Sequence, residues 1–460
     1  MPAEPGLDLR APRRIHVVGI GGAGMSAIAL VLRAMGHTVS GSDLKDSAVA
    51  ERLRSQGITV AVGHRAENAD GAQVVTYSPA VAADNVELVT AGAAGALVMP
   101  RSEILAAICA TRRCLAVSGT HGKTTTASML SLILVEAGLR PSFLIGADVN
   151  EIGTNAVWDS GEWLVVEADE SYGTFKAIRP DLAVLTNVEP DHLDYYGTFE
   201  VLRGAFSDFV GDATIGAVVC SDDVDAAAIG RAHGATLVGE AADSDYLMEE
   251  VALLRSSVSF RLRGPDGDLG TLHIGVPGLH NARNGAVAAV AALRAGAPFE
   301  AAQSALARFA GVTRRFEFRG EANGVTFVDD YAHLPTEVRA ALATARSGGW
   351  SRIVAVFQPH RFSRTAALAS QFGPAFADAD VLVVTDVYSA GERAVPGVSG
   401  RLVADAVAAQ DPRLPVTYAP GWEELRQTVA SLLRPGDLCL TLGAGDLTAL
   451  PDDLLDAPQW

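Results

Sequence analysis

The run "RIHVVGIGGAGMSAIALVLRAMGHTVSGSD", residues 14–43, leaves its backbone few options. Ile15–Ile20 is an apolar segment of strand length. It ends in a glycine-rich loop, continues as an apolar stretch of helical length that closes at Gly36, and returns as "HTVSGSD". Strand, tight turn, helix and strand in that order make a βαβ unit, the opening of a Rossmann-like fold. The order recurs at "RCLAVSGTHGKTTTASMLSLILVEAGL", residues 113–139, with Gly138 placed as a helix C-cap. The chain is therefore expected to be α/β.

Its 460 residues are too many for one ordinary domain and suggest about three. "AQVVTYS" and "ALVMP" read as further strands of a first, Rossmann-like domain, residues 1–112. In a second domain, 113–312, "EWLVVEADE", "LAVLTNV" and "IGAVVCSDD" are apolar runs ending in polar residues. Parallel strands look this way when their C-terminal ends face a site. Residues 250–276 alternate more, as an antiparallel addition would, and "HNARNGAVAAVAALRAGA" reads as a helix. A third α/β cycle, 313–460, carries the strands "VTFVDDY", "RIVAVFQP", "VLVVTDVY" and "DLCLTLGAG".

Two loops are built for phosphate. In Gly19-Ile20-Gly21-Gly22-Ala23-Gly24 the glycines let backbone amides approach a diphosphate at a helix N-terminus, and Asp43 is spaced to take a ribose hydroxyl. Alone, this motif does not separate NAD from other diphosphate nucleotides. The second loop departs from the G-x-x-x-x-G-K-[ST] pattern, because the first glycine would fall on Val117. What remains is a shorter loop, Gly119-Thr120-His121-Gly122-Lys123-Thr124-Thr125. Lys123 can reach phosphate oxygens and Thr124 can ligate Mg²⁺. Lysine occurs otherwise only at 45 and 176, which makes Lys123 conspicuous.

Glu167 ends one apolar run, and Asp191 and His192 follow another. Carboxylate and imidazole at neighbouring strand ends suit a second Mg²⁺ shell, although strand-end polar residues also serve as caps. Asn281 and Asn284 share a helix face and suit a neutral base edge such as adenine, while Asn281 is equally placed to cap that helix. His360, Arg361 and Arg364 form a cationic cluster suited to a carboxylate or phosphate.

The formal charge of −18 argues against nucleic acid as a partner, since phosphate neutralisation needs a surplus of Lys and Arg. Cys109, Cys114, Cys220 and Cys439 lack metal-ligand spacing and read as reduced, buried thiols. The N-terminal stretch has no apolar core, and no apolar run reaches about 18 residues. A cytoplasmic protein with no membrane partner is expected.

Taken in order, "GIGGAGM", "GTHGKTTT", "EADES", "TNVEPDH", "HNARN", "RRFEFRG", "DDYAHLPTEV", "FQPHRFSRT" and "GAGD" resemble the Mur ligases of peptidoglycan synthesis over nearly the whole chain. The nearest likeness is to the branch that loads L-alanine. The resemblance implies three domains, one each for UDP-sugar, ATP and amino acid. It implies two Mg²⁺ ions and small-molecule substrates, UDP-N-acetylmuramate and L-alanine, acted on by a monomer or homodimer. ATP would phosphorylate the lactyl carboxylate, and the amine of alanine would attack the acyl phosphate. Gly19, Gly21, Gly22 and Gly24, with Asp43 nearby, would then hold the UDP diphosphate. Gly119–Thr125 would hold ATP, with Thr124, Glu167 and His192 on metal. Asn281 and Asn284 would meet adenine, Asp330 the ribose, and Arg315 the γ-phosphate. His360, Arg361 and Arg364, and more weakly His333, would serve the amino-acid carboxylate and the intermediate.

Two departures stand out. Where the family usually has "DDYGHHPTEV", this chain has Ala332-His333-Leu334, so one histidine is missing. No lysine follows Lys176, which excludes the carbamylated lysine that sister ligases use for Mg²⁺. Three other readings compete: a recycling ligase of the same family that loads a murein tripeptide, a dinucleotide-dependent dehydrogenase, and a non-catalytic nucleotide switch.

Overall fold

In the computed structural model the described residues are 7–149 and 151–456. They form two compact units. The first comprises residues 1–250, 260–272 and 283–309; the second comprises 251–259, 273–282 and 310–460.

In the first unit, β1 (Arg14–Val18), β2 (Thr38–Asp43), β3 (Thr59–Val62), β4 (Val74–Tyr77) and β5 (Leu97–Pro100) form a sheet of order β3-β2-β1-β4-β5. All its pairs are parallel. The strand order reverses beside β1, so the loop after β1 opens at the topological switch point, where ligands bind in such sheets. A buried carboxylate braces this sheet. Glu87, on the helix Val86–Ala93, accepts from Ser42 Oγ at 2.5 Å, from the Arg65 amide at 3.1 Å and from Asn68. His16 Nε2 lies 3.5 Å from the same carboxylate. Burial alone would raise the Glu87 pKa, but these partners hold it down at about 2.

The next sheet starts with β6 (Arg113–Ser118), β7 (Ser142–Val149), β8 (Thr154–Val157), β9 (Trp163–Glu167) and β10 (Leu182–Leu185). It continues with β11 (Ala217–Cys220), β12 (Thr236–Gly239), β13 (Tyr246–Leu253), β14 (Val258–Gly264) and β15 (Gly267–Ile274). Its order is β15-β14-β13-β12-β11-β10-β6-β9-β7-β8. The central position of β6 matters most, because β9 and β10 flank it in parallel. Residues of β6, β9 and β10 are buried on both faces, which is why these runs are apolar without alternation. The antiparallel β7–β8 pair was not legible in the sequence, where the "SFLIGADV" run is short and broken by glycine. Gly138 takes φ +71° after the helix Lys123–Glu136, as a C-cap glycine should.

The second unit holds β16 (Glu317–Ala322), β17 (Val325–Asp330), β18 (Arg352–Phe357), β19 (Val381–Val384), β20 (Val416–Tyr418) and β21 (Asp437–Leu442). Their order is β16-β17-β21-β18-β19-β20. β16 is an antiparallel edge strand that sequence patterning missed, since Phe318 is exposed and its neighbours are mostly polar. All four cysteines are free and buried.

Candidate active site

The loop between β6 and the helix Lys123–Glu136 has a shape only glycine permits at two points. Gly119 sits at φ +136° and Gly122 at φ +79°. A Cβ on Gly119 would collide with Thr186 Oγ1 and approach the Asn187 carbonyl at 3.0 Å. A Cβ on Gly122 would lie 2.6 Å from Asn284 Oδ1. The strand end after β10 braces the loop. Thr120 N donates to Asn187 O at 3.0 Å, His121 N to Asn187 Oδ1 at 2.8 Å, and Thr186 Oγ1 to His121 O at 2.6 Å. The amides of Thr120 and His121 are thus committed to Asn187. The N–H groups of the helix's first turn have no intrahelical acceptor, which makes them the loop's donors suited to an anion.

Lys123 Nζ donates to Gly119 O at 2.7 Å, to Thr120 O at 3.1 Å, and to Glu170 Oε2 at 2.8 Å. Its side chain is 13% exposed and that of Glu170 only 2%. Burial acts to lower the Lys123 pKa, but Glu170 and Asp169, then Glu167, outweigh it and hold the pKa above its usual value. The lysine is therefore a fixed cation at neutral pH. Thr124 Oγ1 donates to both oxygens of Glu167 at 3.0 Å, and Gly146 N donates to Glu167 Oε2 at 2.8 Å. This places Glu167 against Thr124.

His192 groups differently. Ligand atoms of Asp169, Glu170 and His192 all lie within 4.8 Å of one another. His192 Nε2 is 3.7 Å from Glu170 Oε1, and its backbone takes the left-handed φ +52° to present the ring. Asp169 and Glu170 were missed as individual residues, although "EADES" carries three carboxylates within four positions. Strand periodicity could not say which carboxylate turns toward the loop, because the chain leaves β9 at Glu167.

Asn284 packs on Gly122, as noted above. Asn281 is the third residue of the helix Leu279–Arg294, and its Nδ2 donates to Pro277 O at 2.7 Å. It acts as a donor inside the helix, so the capping alternative is set aside.

The first glycine loop has Gly19 at φ +77°. Gly21 N donates to Asp43 Oδ2 at 2.9 Å, so Asp43 closes on the loop itself. Gly24, on the helix Ala23–Ala34, faces a cavity of about 240 Å³ whose far wall includes Gly146, Glu167 and Asp169. Thr124 of the second loop donates to Glu167, so this cavity runs from the first glycine loop to a carboxylate that the second loop holds.

Within the second unit, "TRRF" divides its arginines. Arg314 donates to Gly443 O at 2.6 Å and pairs with Asp329 at 3.3 Å, a structural tie. Arg315 lies over the Tyr331 ring at 5.1 Å and is about one-third exposed. Asp330 accepts from Phe316 N at 2.7 Å and Ala332 N at 2.8 Å, which shapes the turn beneath Arg315. Burial raises its pKa to about 6 against the pull of Arg315.

His360 corrects one expectation. It stacks on Tyr388 with centroids 5.7 Å apart and meets His333 at 5.4 Å. Arg364 Nη1 lies 3.2 Å from its Nδ1. Burial, then His333, Arg364 and Arg361, push its pKa to about 3. The cluster is cationic through its arginines alone, with His360 a neutral acceptor. Arg361 takes φ +70°, and its buried Nε has no hydrogen-bond partner. His333 N and Leu334 N both donate to Glu337 Oε2, so this segment caps the helix Pro335–Ser347, and Leu334 is buried.

A phosphate loop backed by strand-end carboxylates, two of which line a cavity against another glycine loop, defines a nucleotide-dependent enzyme of the three-domain α/β ligase type. Family models match in sequence: "Mur ligase family, catalytic domain" over residues 14–113, "Mur ligase middle domain" over 117–293, and "Mur ligase, glutamate ligase domain" over 314–445. The chain belongs to the Mur ligase family. It is 43% identical to the UDP-N-acetylmuramate–L-alanine ligase of Anaeromyxobacter sp. (strain Fw109-5), covering 96% of this chain and 97% of that protein. It is 46% identical to the enzyme of that name from Saccharopolyspora erythraea, with 96% and 92% covered. Among solved structures it resembles the UDP-N-acetylmuramate-alanine ligase of Thermotoga maritima, at TM-score 0.81 and 27% identity over 96% of this chain and 98% of that one. A murein peptide ligase from Psychrobacter arcticus shares the fold at TM-score 0.69 and 24% identity, with 96% and 98% covered.

Proposed function

We propose that this chain is an ATP-dependent ligase that joins L-alanine to the lactyl carboxylate of UDP-N-acetylmuramate. The observation that carries the reading is the cavity between the first glycine loop and the carboxylates behind the second, with Gly24 on one wall and Glu167, bonded to Thr124, and Asp169 on the other. A UDP-sugar held by the first loop and ATP held by the second would meet there, carboxylate against γ-phosphate. Names and identities of the relatives favour alanine over a tripeptide acceptor, and family membership leaves no support for a dehydrogenase.

The chemistry follows from the charges. A carboxylate is a poor electrophile, and its approach to a triphosphate is repelled. Lys123 offsets that repulsion with a charge fixed close to the loop. The first-turn amides of the helix Lys123–Glu136 orient the phosphates. Phosphorylation converts the carboxylate into an acyl phosphate, which the amine of alanine attacks with loss of phosphate. The donor sets fit Mg²⁺, a hard cation that prefers oxygen: Thr124 with Glu167 would hold one ion, and Asp169, Glu170 and His192 another. Bound Mg²⁺ would neutralise phosphate charge and polarise the γ-phosphoryl group. Asn281, Asn284, Asp330 and Arg315 keep the nucleotide roles the resemblance gives them, and His360, Arg361 and Arg364 the amino-acid roles. The domain limits 1–112, 113–312 and 313–460, a cytoplasmic location and a monomeric or homodimeric state belong to the same proposal. Among the described residues no helix is long and apolar enough to cross a membrane.

The test is a coupled assay of ADP and phosphate release with UDP-N-acetylmuramate. Release should depend on L-alanine and proceed much more slowly with murein tripeptide. Release independent of any acceptor, or preference for the tripeptide, would overturn the reading.

A further inference from the structure

Arg101 is the residue at the cavity beside Gly24 that neither the motifs nor the fold required. It opens the helix Arg101–Cys109, directly after β5, and its side chain lines the cavity with Gly24, Glu167 and Asp169. The guanidinium presses on the first glycine loop: a Cβ on Gly24 would fall 2.9 Å from Arg101 Cζ and 3.1 Å from both Nε and Nη2. Its Nε is buried with no hydrogen-bond partner. Most arginines in this unit that lie near acids are paired, as Arg113 is with Glu162 and Arg140 with Asp159.

A buried guanidinium donor left unpaired costs free energy, and proteins retain such groups where a ligand completes them. We infer that Arg101 binds the reacting carboxylate of the acyl substrate and holds it at the Glu167–Asp169 end of the cavity. Three features favour a carboxylate over the diphosphate of the same molecule. The planar guanidinium fork matches two coplanar oxygens. The first-turn amides of the helix Ala23–Ala34 offer the diphosphate donors of their own, whereas the amides of Gly19–Gly22 are bonded within the fold. The cavity wall beyond Arg101 carries the acids of the phosphate-transfer site, where the carboxylate has to arrive. Gly24 then has a second role: its missing side chain is the space Arg101 occupies.

This inference rests on the proposed substrate, and binding measurements separate the two. Isothermal titration would compare UDP-N-acetylmuramate with UDP-N-acetylglucosamine, which has the same diphosphate and lacks the lactyl carboxylate. The wild type should prefer the former. In Arg101→Gln the affinity for UDP-N-acetylmuramate should fall roughly 10–100-fold, the scale of a lost charge-assisted pair. Affinity for UDP-N-acetylglucosamine should stay within about twofold, and Arg101→Lys should recover part of the loss. An ATP analogue titrated into each variant reports an intact central loop. Equal weakening of both sugar nucleotides would assign Arg101 to the diphosphate and overturn the inference. So would no weakening of either. Failure of the wild type to bind UDP-N-acetylmuramate would sink the functional reading itself.

Discussion

Gly119→Ala is the substitution whose cost the structure lets one work out most completely. The backbone at 119 sits at φ +136°, a region essentially closed to residues with a Cβ. Forcing alanine there costs about 1–3 kcal/mol of backbone strain. The new methyl also strikes Thr186 Oγ1, whose bond to His121 O at 2.6 Å is then disturbed. Losing that bond adds about 1 kcal/mol. A combined loss of about 2–4 kcal/mol should lower the unfolding midpoint of the unit holding the central sheet by roughly 4–8 °C, at the lower end of the 2–4 °C per kcal/mol that holds for units of about 150–250 residues, because this unit is larger. Turnover should fall at least 100-fold, because the first-turn amides and Lys123 lose their setting. Differential scanning calorimetry and the coupled ADP assay measure the two effects. The double variant Gly119→Ala/Thr186→Ala separates their causes. It removes the hydroxyl clash but leaves the positive φ and the Asn187 carbonyl at 3.0 Å, so rescue should be partial and activity should stay low. A single variant that melts and turns over like wild type would refute the reasoning. Full rescue by Thr186→Ala would show that contact, not backbone geometry, was the constraint.

Lys123→Ala should cut kcat by at least two orders of magnitude while leaving affinity for the UDP-sugar unchanged, since the lysine touches only its own loop and Glu170. Parallel changes in both would place the lysine's role elsewhere. Glu87 has its folded pKa at about 2 against an ordinary 4.5, so its stabilisation is present above pH 4.5 and lost as pH falls toward 2. The wild type should exceed Glu87→Gln in urea stability by about 3 kcal/mol at pH 7, with the gap closing near pH 2. A gap independent of pH would mean that packing, not ionisation, carries the effect. Asp330 works in the opposite sense. Its folded pKa of about 6 lies above its ordinary 3.8, so it favours folding below pH 4, and that contribution disappears as pH rises through 6. Asp330→Asn should therefore lose a decline of about 3 kcal/mol that the wild type shows across that window. Matching slopes in the two proteins would count against the burial argument.

Much of this protein is legible in its sequence. The α/β class, the two glycine loops and the order of the motifs are local properties. Apolar runs with polar ends, glycines at tight turns and helix starts all follow from the backbone chemistry of a few consecutive residues. Even the unusual short loop around Lys123 could be read, because Val117 belongs to a buried strand and Gly119 to the turn.

What the chain order concealed were partners. β6 lies between β9 and β10, so the residues that meet Lys123 come from segments more than 40 positions away. Only that packing separates Glu167 at Thr124 from Glu170 at Lys123, or makes Arg314 a tie while Arg315 stays on the surface of its turn. It also turned His360 from an expected cation into a neutral acceptor, because burial and neighbouring positive charge act on the proton through space. Arg101 is the plainest case. In sequence it is one arginine after a proline; in the fold it carries a buried donor without a partner, set against Gly24 at the cavity between the first glycine loop and Glu167. Backbone preferences are decided by neighbours along the chain, whereas desolvation and charge are decided by neighbours in space.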